Sequence, residues 1–188
     1  MELLDKALKF AIDAHSGQKR KNSVTPYIVH PLEVVAIAAT MTSDENTLCA
    51  AVLHDVIEDT PVTKEDLYRE FGERITFLVM AETEEKEREI SASESWLHRK
   101  QNALAKLASI DDIETKILIL SDKLSNVRSF YREYIAEGDA LWNHFNMKDK
   151  DKQFWYYHEV YKMVGELKDF VAYKEYERLL TLLFGKEL

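Results

Sequence analysis

Apolar positions recur every three or four residues along most of this chain, the period of an amphipathic helix. Over residues 2–15 they fall at Leu3, Leu4, Ala7, Leu8, Ala11 and Ile12, and Gly17 follows where a helix ends in a left-handed cap. Pro31 suits the first turn of a helix running to Met41, because its missing N–H costs nothing there. Ser43 is placed to cap a helix from Asp44 to about Glu58, which Pro61 brings to a stop. Thr63 and Asp66 read as a capping box for a short helix ending at Phe71-Gly72, with another helix running on to about Glu82. Helical periodicity resumes from Trp96 to Leu107, covers residues 113–135, and returns over about residues 150–170 and 173–184. The expected fold is all-α: a single-domain bundle of roughly eight to ten helices over residues 1–188.

Two segments break the simple stripe. Ala50-Ala51-Val52-Leu53 leads into His54-Asp55 before Val56 and Ile57 restore the apolar run. Charge inside such a run is costly unless it is paired or bound to a metal. On a continuous helix His54, Asp55, Glu58 and Asp59 fall within a sector of about 140°. One turn would then offer an imidazole and three carboxylates, a ligand set for a hard or borderline divalent cation. A solvated helix end with a core histidine would give the same dipeptide, so the weight falls on what the rest of the chain adds. The second segment is Ile117-Leu118-Ile119-Leu120, apolar on every side and therefore central. Its polar stripe is Asp122, Asn126 and Ser129, and Asp122 falls where a central helix would meet a buried site. His30, fixed beside Pro31, is a third position suited to a ligand.

Composition narrows the class. Of 188 residues 46% are hydrophobic, an ordinary globular share, and five Gly with three Pro argue against a turn-rich β architecture. No apolar run reaches the length of a membrane span, and the start lacks the regions of a signal peptide. Cys49 is the only cysteine, which fits a reducing compartment; a cytoplasmic location is expected. A net charge of −9, from 25 basic and 34 acidic residues, disfavours nucleic-acid or membrane partners. Against that charge, Lys19-Arg20-Lys21 stands out in a loop: either a solvated run or a phosphate clamp in which Arg20 can stack on a base. The glutamate-rich stretch 82–94 reads as a surface loop, with a lid as the alternative. The aromatics around Trp142, Phe145 and Phe154-Trp155-Tyr156-Tyr157 read as core.

His30, then His54-Asp55, then a distant Asp122 make the H…HD…D pattern of HD-superfamily metal-dependent phosphohydrolases. The blocks AHSGQKRK, PYIVHPLEV, AAVLHDVIEDTPVT and LILSDKLSNVRS resemble, in order and spacing, the hydrolase domain of RelA/SpoT-type enzymes, over about residues 1–170. The resemblance implies an HD-type bundle and removal of the 3′-pyrophosphate from ppGpp or pppGpp, giving GDP or GTP and pyrophosphate. It implies His30, His54, Asp55 and Asp122 as ligands of one Mn²⁺, with Glu58 and Asp59 activating water. Arg20 and Lys21 would contact the guanine nucleotide, Arg20 by stacking, and Asn126 would bind its sugar or phosphate region. Because the chain ends at Leu188, without the synthetase and regulatory domains of the long enzymes, the expectation is a small, hydrolase-only alarmone hydrolase akin to the metazoan SpoT homologue. The family's short glycine-containing turn before the proline is here Asn22-Ser23-Val24-Thr25, without glycine. Two other readings stand beside this one: an HD phosphohydrolase acting on another nucleoside phosphate or a nicotinamide dinucleotide phosphate, and a nucleotide-sensing module without turnover.

Overall fold

In the computed structural model, residues 2–21, 23–84, 91 and 94–186 are described. Asn22 and most of the glutamate-rich 82–94 stretch lie outside the described residues, so the expected lid or loop there does too. Among the described residues there are nine α-helices: α1 (Glu2–Ala14), α2 (Val29–Ala38), α3 (Glu45–Leu53), α4 (Val56–Asp59), α5 (Lys64–Glu82), α6 (Trp96–Ala108), α7 (Ile113–Glu137), α8 (Lys150–Met163) and α9 (Val171–Phe184). Short 3₁₀ segments follow α7 and α8, and the only described β-type pairing is one isolated bridge between Lys19 and Pro26. No described helix is long and apolar enough to cross a membrane.

The helix ends follow local chemistry. Asp44, not Ser43, caps α3 by accepting from the Thr47 backbone N–H at 2.7 Å. Thr63 and Asp66 complete the expected capping box, each side chain accepting from the other's backbone N–H. Gly72 interrupts α5 at φ 78°, ψ −175°, a conformation closed to side-chain-bearing residues without strain, so the expected break occurs inside one long element. Residues 164–170 leave the α conformation for a 3₁₀ turn, which makes α8 shorter than its periodicity suggests.

The expected continuous helix over Asp44–Glu58 divides. α3 ends at Leu53, His54 retains helical angles, and Asp55 adopts φ −95°, ψ −3°, far from the helical ψ of about −42°. Asp55 then serves as the cap of the short α4, with the Asp59 N–H donating to its carbonyl at 2.9 Å. The HD doublet is thus a corner between two helices, not the middle of one.

α7 is the axis of the bundle. It packs against α2, α3, α5, α8 and α9, which explains why Ile117, Leu118, Ile119 and Leu120 are all buried. Leu53, Leu118 and Leu120 are fully buried, each contributing on the order of 1.5–3 kcal/mol of transfer free energy. The aromatic stretch joins the same core: Trp142 stacks on Phe184 at 5.1 Å, and Phe130 meets Phe145 edge-on at 4.8 Å. Around this axis the polar residues of α2, the α3–α4 corner and α7 converge.

Candidate functional site

His30 enters from the first turn of α2, His54 and Asp55 from the α3–α4 corner, and Asp122 from the middle of α7. His30 Nε2 lies 2.9 Å from Asp122 Oδ1 and 3.7 Å from Asp55 Oδ2. His54 Nε2 lies 2.9 Å from Asp55 Oδ2 and 3.5 Å from Asp122 Oδ1. Ligand atoms about 2.1 Å from one ion and at right angles stand about 3 Å apart, so these spacings suit a shared divalent cation. His30, His54 and Asp122 are all buried and their donor atoms fall within 4.8 Å of one another. Asp55 stands at the outer edge of the cluster, its side chain 18% exposed.

The imidazoles are prepared for a metal. His54 Nδ1 lies 2.9 Å from the Ala51 carbonyl, which accepts its proton and leaves Nε2 as a lone-pair donor. That Nε2 is buried and, despite the nearby carboxylates, has no well-oriented hydrogen bond. A buried, unsatisfied donor atom facing two carboxylates is what a cation would complete. Burial, with a smaller push from His54, lowers the pKa of His30 against the pull of Asp122 and favours the neutral, ligating form. Burial opposes ionisation of Asp55, but the adjacent His54 outweighs it and holds the carboxyl below its usual range. Asp122 is likewise held well below that range because Lys123, 2.5 Å from its Oδ2, overcomes the cost of burial. Burial opposes a charge on His54 as well, yet the Asp55 and Asp122 carboxylates outweigh it and hold that imidazole well above its usual range, so an ion bound there would take the place of a proton.

The two expected water-activating carboxylates go to different places. Asp59 Oδ2 accepts from Tyr27 Oη at 2.9 Å, and the same phenol donates to Asp55 Oδ2 at 2.5 Å. The Asp59 carbonyl also accepts from Gln18 Nε2 at 2.7 Å, fixing the start of the cationic loop to the end of α4. Glu58 turns instead toward the end of α5, where the Glu84 N–H reaches its Oε2 at 3.4 Å.

α1 ends at Ala14, before the expected cap, and Gly17, at φ 77°, turns the chain three residues later into a loop closed by the Arg20 N–H to Thr25 carbonyl bond of 2.9 Å. The loop brings Arg20 over the Tyr27 ring at 5.7 Å and its Nη2 to 3.3 Å from Asn126 Oδ1. Asn126 in turn donates to Asp122 Oδ1 at 2.7 Å. Lys21 reaches Asn146 Oδ1 at 3.3 Å, while Lys19 is exposed. Arg20, Lys21 and Asn126 all line a cleft of about 380 Å³ whose walls also include Tyr27, His30, Ser125 and Phe145. The three sequence-predicted substrate residues therefore share one cavity with an edge of the metal cluster.

Several participants escaped the sequence reading. Tyr27 precedes His30 by three positions, and Glu33 follows it by three; Ser125 follows Asp122 by three, the helical spacing that places neighbours on one face. Lys123 and Glu82 form a buried ion pair of 2.9 Å behind Asp122. Only the three-residue offsets were visible in the sequence, and they carry no meaning until the partner helix is known.

The family model described as HD domain matches residues 7–149. The chain belongs to the HD domain family. It is similar to the guanosine-3′,5′-bis(diphosphate) 3′-pyrophosphohydrolase of Aquifex aeolicus, 37% identical over 130 residues, which is 69% of this chain and 18% of that protein. The chain thus spans about a fifth of the curated relative's length. Among solved structures it resembles lmo0812 of Listeria monocytogenes, at a TM-score of 0.71 and 29% identity, covering 86% of this chain and 97% of that one. It also shares the fold of a metazoan SpoT orthologue described as hydrolysing ppGpp, at a TM-score of 0.75 and 24% identity, covering 98% and 97% of the two chains.

Proposed function

We propose that this chain is a metal-dependent hydrolase that removes the 3′-pyrophosphate from guanosine 3′,5′-bis(diphosphate) and its pentaphosphate counterpart. The observation that carries the reading is that His30, one of the His30–His54–Asp122 cluster, lines the same cleft as Arg20, Lys21 and Asn126. The name of the Aquifex aeolicus relative points to the same reaction. Residues 1–188 act as one HD-type unit in this reading, and the ion is Mn²⁺, held by His30, His54, Asp122 and Asp55. The acidic surface and single buried cysteine fit a cytoplasmic enzyme of a small nucleotide, without nucleic-acid or membrane partners.

A pyrophosphate ester repels nucleophiles through its own charge, and a bound divalent ion would neutralise part of that charge and acidify a coordinated water. The protein's own groups do the rest. Asp59, tied to the ligand Asp55 through Tyr27, and Glu58 are the acceptors for the proton of the attacking water. Arg20 and Lys21 offset the phosphate charge that the ligand carboxylates leave uncompensated. Arg20 presents a planar guanidinium against Tyr27, the form suited to a base as well as a phosphate. Asn126 links Arg20 to Asp122 and aligns nucleotide with metal cluster. The products are GDP or GTP and pyrophosphate.

The deciding experiment is turnover, with Mn²⁺, of ppGpp against its adenosine analogue and a nicotinamide dinucleotide phosphate. Release of pyrophosphate from ppGpp well above the others supports the assignment. Equal rates would remove the guanine specificity and leave a broader phosphohydrolase. No turnover of any, with nucleotide still bound, would favour the sensing module.

A further inference from the structure

We infer that Ser125 and Glu33 form a side-chain relay that sets the tautomer of His30 and thereby its ability to hold the metal. The inference rests on the metal-centred reading above but not on the identity of the substrate. Ser125 Oγ lies 2.8 Å from Glu33 Oε2 and 2.9 Å from His30 Nδ1. An ionised carboxylate can only accept, so the single hydroxyl proton of Ser125 goes to Glu33. The same oxygen must then accept from His30, which places the ring proton on Nδ1 and leaves Nε2 as a lone pair 2.9 Å from Asp122 Oδ1. Ser125 is 1% exposed, so no solvent competes for these bonds.

The relay continues into the scaffold. Arg128 Nη1 lies 3.3 Å from Glu33 Oε1, while its Nε and Nη2 both pair with Glu175 of α9 at 2.7 Å. Glu33 is thus aimed at Ser125 by an arginine that is itself clamped by a carboxylate fork. Glu33 sits one helical turn after His30 on α2, and Ser125 one turn after Asp122 on α7. The relay therefore fixes the relative position of two ligands contributed by different helices. The two imidazoles differ in this respect: the tautomer of His54 is set by a backbone carbonyl, which substitution cannot remove, whereas that of His30 depends on two replaceable side chains.

Calorimetric titration of Mn²⁺ into metal-free wild type, Ser125→Ala, Glu33→Ala and the double variant tests the relay without any substrate. Each single variant is expected to lose about 10–100-fold in Mn²⁺ affinity, the usual scale for a partner behind a ligating histidine. As links of one chain their effects should not add, so the double variant should match Ser125→Ala within about twofold. Nitrogen NMR should find the His30 ring as the Nδ1–H tautomer in the wild type and as a mixture in Ser125→Ala, a change that loss of packing alone would not produce. Wild-type affinity in both single variants, or fully additive losses, would overturn the relay. Should Ser125→Ala not fold, the half-buried Glu33→Ala decides by itself: reduced affinity supports the relay and unchanged affinity refutes it. A wrong substrate assignment would show instead as absent ppGpp turnover with the Mn²⁺ affinities still in the expected order.

Discussion

Tyr27 donates a hydrogen bond of 2.5 Å to Asp55, across 28 positions of sequence. Its hydroxyl also lies 2.9 Å from Asp59, so one phenolic proton serves two carboxylates. Burial, reinforced by those two negative charges, pushes the Tyr27 pKa far above its ordinary 10 and keeps it a donor at any physiological pH. Tyr27→Phe should leave Mn²⁺ bound and lower kcat by about 10–100-fold, the value of a hydrogen bond to a charged group. Steady-state kinetics with a parallel Mn²⁺ titration is the check. Loss of the metal would mean that Tyr27 orients the ligand Asp55 and not the proton acceptor Asp59.

Asp59 and Glu58 are separable by their surroundings. Asp59→Asn, beside the metal cluster, should retain Mn²⁺ and lose on the order of 10²–10⁴-fold in turnover, the range of general acid–base catalysis. Glu58→Gln should fall in the same range if it also touches the attacking water. Near-normal turnover in either variant takes that residue out of the proton-transfer step.

The cationic loop should divide its work between shape and charge. Arg20→Lys keeps the charge but loses the planar face, and is expected to raise KM for ppGpp about tenfold, an effect of roughly 1–2 kcal/mol for a cation on a ring. Added salt should not reproduce that loss. Lys21→Ala should weaken every phosphate-bearing ligand in a salt-sensitive way. An Arg20→Lys enzyme with unchanged KM at all salt concentrations would remove stacking from the account.

Glu82 provides a pH signature in the metal-free protein. Its side chain is 6% exposed, and burial raises its pKa from an ordinary 4.5 to about 7 even though Lys123 pulls the other way. Between those values the folded state holds a proton that the unfolded state has released, so stability should fall as pH rises through this window. Denaturant titrations of metal-free protein at pH 4.5 and pH 7.5 should show that decline, and Glu82→Gln should flatten it. A variant with the same pH slope as the wild type would place the effect elsewhere.

The helical period and end signals determined most of the architecture. A three- to four-residue apolar spacing can only bury its stripe as a helix, and Thr63, Asp66, Gly72 and Pro61 act within a few residues of where they stand. For the same reason the all-apolar Ile117–Leu120 marked α7 as the axis, and His30, His54-Asp55 and Asp122 could be grouped by their match to a known pattern. Tertiary structure decided what local signals could not. The helical period runs unbroken through His54 and Asp55, yet packing turns the chain there, and this corner rather than a single helical face brings Asp55 to both imidazoles. Tyr27, Glu33, Lys123 and Ser125 acquire roles only through partners as far as 95 positions away. A hydrogen bond of 2.5–3 Å depends on where two helices cross, and that crossing is set by the packing of the whole core, not by the residues that form the bond.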